Sequence, residues 1–98
     1  MSFIDNNILN PDLDVKMIAE HLNYSKAYTM TIFRNETGMS VHEYIMRRKI
    51  EYARDLLETH SITETAFMLN FSSSQHFSKV FKSHTLMTPR SYKLSRLK

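Results

Sequence analysis

The chain has 98 residues, of which 42% are hydrophobic and 23% are charged, as is typical of one globular domain. The absence of Cys excludes disulfide bonds and thiolate metal sites, and no apolar run approaches the roughly 18 residues that span a bilayer. The net charge of +3 is uneven: residues 1–40 carry three basic and five acidic side chains, whereas residues 61–98 carry six basic and one acidic. This basic last third suits a polyanion such as DNA, although a solvated basic tail explains it about equally well.

The predicted structure is all-helical. One Gly and two Pro leave little room for hairpins, and the alternation typical of strands does not persist. Asn10-Pro11 ends a first short helix over about residues 2–9. Asp14 then caps a second helix, which runs to about Leu22 with its apolar residues on one face.

A tight turn joins the second helix to a third. Asn23 suits this turn, because Asn tolerates the left-handed conformation better than other residues with a side chain. Ser25 caps the third helix, over about residues 26–37, and Gly38 ends it in the left-handed position. Two helices around a sharp turn form the unit that presents its second helix to a DNA groove.

Ser40 caps a long helix in which no breaker occurs until about Thr59. The apolar residues of this helix form two stripes: Val41, Tyr44 and Ile45, then Met46, Ile50, Ala53, Leu56 and Leu57. A helix that is apolar on two sides is buried between two bodies. We therefore expect its first half to pack on the preceding unit and its second half on the following unit. About 19 helical residues would give it a length of about 28 Å.

The later part of the chain repeats the earlier unit. Segment 17–25 returns as segment 64–72, and after one inserted residue the match resumes at an offset of 48, where Phe33 corresponds to Phe81. The repeat predicts a helix over about residues 62–69 and a second helix that Ser72 or Ser73 caps. Thr88-Pro89, a cap followed by Pro at the first helical position, opens a last helix. The chain thus carries two copies of one potential binding surface.

In this order and spacing the residues resemble the DNA-binding domain of AraC/XylS-type bacterial transcription regulators. The resemblance covers about residues 13–93. Its carriers are Ile18 to Ser25, Phe33 to Gly38, Tyr44-Ile45, Arg48-Lys49, Ala53 to Leu57, Ile62, Ala66, Leu69 to Phe71, Phe77 to Lys82 and Thr88 to Tyr92. The resemblance implies seven helices in two helix-turn-helix subdomains, 1–39 and 61–98, bridged by a linker helix over 40–60.

Five positions depart from the family pattern. The Gly that is usual in the helix-turn-helix turn falls at Asn23 and Asn70, and Asn can hold the same turn. The Gly before the last helix falls at Leu86, so the loop there either differs or carries strain, because Leu does not easily adopt a positive φ. Usually apolar positions fall at Thr29 and Thr65, whose hydroxyls need a partner if they are buried.

The second predicted recognition helix, over about residues 73–84, has side chains that can read bases. Phe77, Val80 and Phe81 form its apolar back face. Gln can read adenine bidentately, Lys can reach guanine O6 and N7, and Ser is permissive. From this chemistry and from the resemblance, the predicted base-reading residues are Ser74, Gln75, Ser78 and Lys79. A merely solvated polar face is the alternative.

The first predicted recognition helix, over about residues 26–37, offers less hydrogen bonding. The repeat places Ala27, Met30 and Thr31 at the positions equivalent to Gln75, Ser78 and Lys79. Ala and Met form no hydrogen bonds here but can contact thymine methyl groups, and Thr is a modest reader. We therefore predict that the second helix supplies most hydrogen bonds to base edges, and that the first reads mainly methyl groups and DNA shape.

Phosphates of the DNA backbone are the predicted partners of a further set of polar residues. Helix N-termini offer backbone N–H groups, and Lys and Arg offer charge. The set is Ser25, Lys26, Arg34, Ser73, Lys82 and Arg90. A linker helix of about 28 Å would place the two recognition helices near the separation of successive major grooves, about 34 Å, so that one chain fills two adjacent grooves.

Other function classes fit less well. The five His lack the spacing of metal ligands, and a single Gly rules out a Gly-rich phosphate loop, so we expect no enzyme, cofactor or metal site. The alternative is a helical protein-interaction module that binds RNA polymerase or another regulator and contacts DNA weakly. Family members usually carry a further domain that binds an effector or dimerises. We therefore favour a fragment of a larger cytoplasmic regulator, with that domain N-terminal to it, over a short stand-alone regulator.

Overall fold

The computed structural model describes residues 2–96. Its helices are α1 (Ser2–Asn6), α2 (Val15–Leu22), α3 (Lys26–Thr37), α4 (Val41–Leu56), α5 (Ile62–Met68), α6 (Ser74–Thr85) and α7 (Pro89–Arg96). Over these residues there is no strand, so the predicted all-helical class with seven helices is confirmed. None of these helices is long and apolar enough to cross a membrane.

Side-chain caps start the helices where the sequence predicts them. Asp14, Ser25 and Ser40 each accept a hydrogen bond from the amide three residues further along, at 2.9, 3.1 and 3.1 Å. Of the two candidates for the cap of α6, Ser73 accepts such a bond at 3.0 Å and is the N-cap residue. The cap therefore fixes the first residue of each recognition helix.

Two helices end earlier than the sequence predicts. Helix α1 ends at Asn6, and α4 has 16 residues rather than about 19, which makes it about 24 Å long. After α4 the amides of Glu58 and Thr59 bond to carbonyls only three residues back, at 3.2 Å each, which tightens the chain into turns. The Lys93 ammonium donates to the Leu57 and His60 carbonyls in the segment that follows α4.

Of the residues that the structure describes, four adopt a positive φ, each directly after a helix or its last turn. Asn23 and Asn70 have φ of 59° and 63°, as predicted for the two turns. Gly38 has φ of 74° at the end of α3. Leu86 has φ of 65° after α6, so it takes the same left-handed position as Gly38 and carries the predicted backbone strain.

The chain divides into two compact units between Arg48 and Lys49, within α4. The core of the first unit is formed by Ile4, Ile8, Leu13, Ile18, Ala19, Phe33, Val41 and Ile45. The core of the second unit is formed by Ile50, Ala53, Leu57, Ala66, Leu69, Phe71, Phe77 and Phe81. Within these units α2 contacts α3, α5 contacts α6, and α6 contacts α7. Each recognition helix is thus held by its own helix-turn-helix partner.

Both unusual Thr residues are fully buried, and both hydroxyls are satisfied. The Thr29 hydroxyl donates to the Ser25 carbonyl at 2.8 Å. The Thr65 hydroxyl donates to the Ser61 carbonyl at 2.9 Å. In each case the acceptor is the N-cap residue of the same helix, so a polar atom enters the core without losing its hydrogen bond.

The repeat continues past the recognition helices in atomic detail. The Thr37 hydroxyl donates to the Phe33 carbonyl at 2.7 Å and accepts from the Met39 amide at 3.1 Å. At the equivalent position 48 residues later, the Thr85 hydroxyl donates to the Phe81 carbonyl at 2.8 Å and accepts from the Met87 amide at 3.2 Å. The ends of both recognition helices are therefore built by the same side chain in the same way.

Aromatic packing repeats as well. The rings of Phe33 and Tyr44 meet edge to face, with centroids 5.5 Å apart, and those of Phe81 and Tyr92 do so at 5.6 Å. Each Phe lies on the buried face of a recognition helix, and each Tyr lies on the helix that follows. The following helix thus helps to fix the recognition helix within its own unit.

Candidate nucleic-acid interface

The two faces of α6 differ as the sequence predicts. Phe77 and Phe81 are fully buried and Val80 is half-buried, so this side anchors the helix. Gln75 and Lys79 are exposed. Ser74 and Ser78 are half-buried, and residues three or four positions apart are neighbours on a helix surface, so these four side chains form one continuous strip. Gln75 and Lys79 lie on the side of the strip away from the buried Phe residues, whereas Ser74 and Ser78 lie on the side toward them.

Helix α3 has the same division between a buried and an exposed face. Thr29 and Phe33 are buried, at the positions equivalent to the two buried Phe residues of α6. Ala27, Met30 and Thr31 are exposed and lie on one face. The predicted readers of α3 are thus brought together as those of α6 are, but they present mostly apolar atoms.

Two tyrosines in contact with each other lie beside this face, and their contact was not predicted from the sequence. The rings of Tyr24 and Tyr28 meet edge to face with centroids 4.8 Å apart and an interplanar angle of 87°. Both rings are about half exposed, at 46% and 53%. The available signal was the position of Tyr24 directly before the N-cap residue Ser25, which places it next to the first turn of α3 and hence near Tyr28.

The predicted phosphate-binding residues are accessible. Lys26, Arg34, Lys82 and Arg90 are all exposed. The hydroxyl oxygens of Ser25 and Ser73 accept a bond from the Tyr28 and His76 amides, which leaves each hydroxyl hydrogen able to donate. These two residues stand at helix N-termini, where backbone N–H groups and the helix dipole favour an anion.

Three consecutive basic residues in α4 enter three different environments. Arg47 is exposed. The Arg48 guanidinium pairs with Asp5 at 2.8 Å, which ties α4 to α1 within the first unit. Lys49 is buried with its ammonium 5.6 Å from the centroid of the Phe71 ring, and burial lowers the pKa of Lys49 from its usual value. The run therefore does not act as one basic patch.

The basic end of the chain is also partly engaged by the protein itself. The Lys93 ammonium donates to the Leu57 and His60 carbonyls at 2.6 and 2.9 Å. The Arg96 guanidinium donates to the Glu58 carboxylate at 2.7 Å. These two cations thus bind the segment that follows α4. The number of basic residues in the last third of the sequence therefore overstates the positive charge available to a polyanion.

Among residues 2–96 no cluster of three or more His, Asp or Glu side chains could hold a metal ion. The exposed side chains that lie together on one helix are the mostly apolar row on α3 and, separately, the polar row on α6. Exposed donors and acceptors on a helix that is anchored by a buried apolar face have the form needed to read base edges in a major groove.

Comparison with known proteins agrees with this geometry. Residues 18–95 match the family model described as a helix-turn-helix domain. The chain is 37% identical over 95 residues to the HTH-type transcriptional activator AarP of Providencia stuartii, covering 95% of the chain and 70% of AarP. An uncharacterised HTH-type transcriptional regulator from the cgkA 5′ region of Pseudoalteromonas carrageenovora is 33% identical over 95% of the chain, and the chain spans 55% of that protein's length.

A solved structure agrees in fold. The transcriptional regulator of Chromobacterium violaceum, described as containing an AraC-type DNA-binding domain, superimposes with a TM-score of 0.91 at 28% identity. The match covers 99% of this chain and 88% of that one.

Proposed function

The chain belongs to the AraC-type helix-turn-helix family of DNA-binding transcription regulators, and on that premise we propose that it places α3 and α6 in two adjacent major grooves. The supporting observation is the duplicated unit. In each copy an exposed row of side chains lies opposite buried anchors at equivalent positions, Thr29 and Phe33 in α3 and Phe77 and Phe81 in α6. Two equivalent surfaces in one chain suit two successive grooves on one side of a duplex.

The two helices divide the recognition. Helix α6 supplies most of the hydrogen bonds to base edges, with Gln75 reading adenine and Lys79 reading guanine, assisted by Ser74 and Ser78. Helix α3 contributes contacts of Ala27, Met30 and Thr31 with methyl groups and with DNA shape. This division is supported by the exposure of Gln75, Lys79 and the three α3 residues, and by the different chemistry of the two rows.

Phosphate contacts position the chain and supply most of the affinity. They come from the exposed cations and the two N-cap residues described above: Ser25, Lys26, Arg34, Ser73, Lys82 and Arg90. Such contacts fix the register on the duplex without reading sequence.

The wider setting follows from the family. Because the chain spans only 55% of one relative's length, we propose that it works with an N-terminal domain that binds an effector or dimerises, and that RNA polymerase is a further partner. The site of action is the bacterial cytoplasm. No catalytic role is proposed.

Binding of the chain to random duplex DNA at 50 and 200 mM salt tests the proposal. If all four predicted Lys and Arg contacts with phosphates form, affinity should fall roughly a hundredfold across this range. The exposed Lys82 and Arg96 provide matched charge-removing variants. Lys82→Gln should reduce the salt slope by about one, whereas Arg96→Gln, which removes a cation paired with Glu58, should leave it unchanged. Weak binding that salt hardly affects would instead favour the protein-interaction module.

A further inference from the structure

The exposed row of α3 offers apolar atoms where the equivalent row of α6 offers hydrogen-bond donors. Ala27 has no polar side-chain atom, and the Met30 side chain, 53% exposed, ends in a thioether. The Thr31 hydroxyl donates its hydrogen to the Ala27 carbonyl at 3.0 Å. What Thr31 can present to a ligand is therefore its methyl group and the lone pairs of its oxygen.

The tyrosine pair extends this apolar surface. The edge-to-face contact with Tyr24 at 4.8 Å restrains the Tyr28 ring, which is 53% exposed. A ring that is held before binding loses little conformational entropy when it contacts a ligand. The surface formed by Ala27, Tyr28, Met30 and Thr31, here called the α3 apolar row, is thus prearranged for a small apolar group.

In the major groove the apolar group available at a base edge is the C5 methyl of a pyrimidine. Resting on the proposed function, we infer that the α3 apolar row recognises this methyl group itself, so that it accepts 5-methylcytosine as well as thymine. Methylation of cytosine at C5 within the half-site of α3 then strengthens binding. The Thr31 oxygen, whose hydrogen is already engaged, can accept from the N4 amino group of 5-methylcytosine but does not donate to the O4 of thymine.

Duplexes that differ by one methyl group test this inference. A binding sequence is first selected from a random pool with the whole chain, and the half-site of α6 is identified as the one whose preference relaxes in Gln75→Ala. In the other half-site, replacing thymine by deoxyuridine should weaken binding about fourfold for each methyl contacted, as burial of one carbon predicts. Replacing cytosine by 5-methylcytosine there should strengthen binding by a similar factor. The same exchanges in the half-site of α6 should leave the Kd unchanged.

Two variants at equivalent positions sharpen the test. Met30→Ala removes an exposed side chain, so the fold is kept while the effect of each methyl group should shrink. Ser78→Ala, at the same position of α6, should retain the full methyl effect even where its own affinity falls.

The outcomes separate the inference from the proposed function. Sequence-specific binding that is indifferent to the methyl exchanges, or a methyl effect confined to the half-site of α6, would overturn the inference and leave the proposed function standing. If the pool yields no preferred duplex at all, both are wrong.

Discussion

Gly38 and Leu86 stand 48 residues apart in the same left-handed conformation, with φ of 74° and 65°. Each ends a recognition helix, and the amides donate to the Arg34 and Lys82 carbonyls at 2.9 and 2.8 Å. Gly adopts this conformation readily, whereas a residue with a Cβ is destabilised there by about 1–2 kcal/mol. Leu86 is 85% exposed, so burial of its side chain offsets little of this strain.

Exchanging the residue types should therefore change stability in opposite directions. Leu86→Gly should raise the free energy of unfolding by about 1 kcal/mol, because it releases the strain and gives up little buried surface. Gly38→Ala should lower it by about 1 kcal/mol. A Cβ at Gly38 would meet no atom within 4 Å, so that loss comes from the backbone alone. Urea denaturation of both variants measures the two changes. A loss of stability in Leu86→Gly would contradict the claim that the backbone is strained at Leu86.

Lys93 should matter more for stability than the neighbouring Arg96. Lys93→Met keeps an apolar stem but removes the donor to two carbonyls after α4, which should lower the free energy of unfolding by about 1–3 kcal/mol. Arg96→Met removes an exposed ion pair with Glu58 and a contact with the Tyr92 ring at 5.9 Å, and because Arg96 is exposed the change should cost less than that at Lys93. Thermal denaturation of the two variants compares them directly. Equal losses would mean that the carbonyl contacts of Lys93 contribute no more than a surface charge.

The capping box at the start of α5 predicts a dependence of stability on pH. The Glu64 carboxylate accepts a bond from the Ser61 amide at 2.8 Å, and this bond, then that with the Ser61 side chain, lowers the pKa of Glu64 below its usual 4.5. Because the folded pKa lies below the unfolded one, this stabilisation is present above about pH 4.5 and is lost as the pH falls through the folded value.

Glu64→Gln cannot titrate, so its urea midpoint should fall less than that of the unaltered chain between pH 5 and 3. Ser61→Ala removes the reciprocal hydroxyl bond and should weaken the same pH dependence. If Glu64→Gln follows the unaltered chain throughout this range, the carboxylate does not provide the effect.

Features were predicted from the sequence when the interacting residues lie close together along the chain. The caps at Ser25 and Ser40 and the turns at Asn23 and Asn70 were predicted, because their partners lie within five residues along the chain. The end of α4 was not, because Lys93, which donates to the Leu57 and His60 carbonyls just after α4, is more than 30 residues away along the chain.

The candidate site shows the same limit. The repeat, together with side-chain chemistry and the family resemblance, predicted the outward face of both helices, and Ala27, Met30, Thr31, Gln75 and Lys79 are exposed, whereas Ser74 and Ser78 are half-buried. It could not show that Lys93 and Arg96 are engaged by the protein, nor that Arg48 pairs with Asp5 across 43 positions. The net charge counted from a sequence includes cations that, in the folded protein, are paired with distant residues.

The proposed division between the recognition helices predicts unequal effects of equivalent truncations. Gln75→Ala should weaken specific binding by about 1–3 kcal/mol and relax the preference at one base pair, because it removes a bidentate contact. Met30→Ala should weaken it less, since only apolar contact is lost. Both residues are exposed, so neither change should disturb the fold. Gel-shift titration against the selected duplex and its single-base variants measures both, and an unchanged preference in Gln75→Ala would contradict the assignment.

Hydroxyl-radical footprinting of the chain on its selected duplex tests most directly whether one chain fills two adjacent grooves. Two recognition helices in successive major grooves should protect two segments on one side of the DNA, centred about 10 base pairs apart. A single protected segment, or two segments on opposite sides of the duplex, would contradict the account.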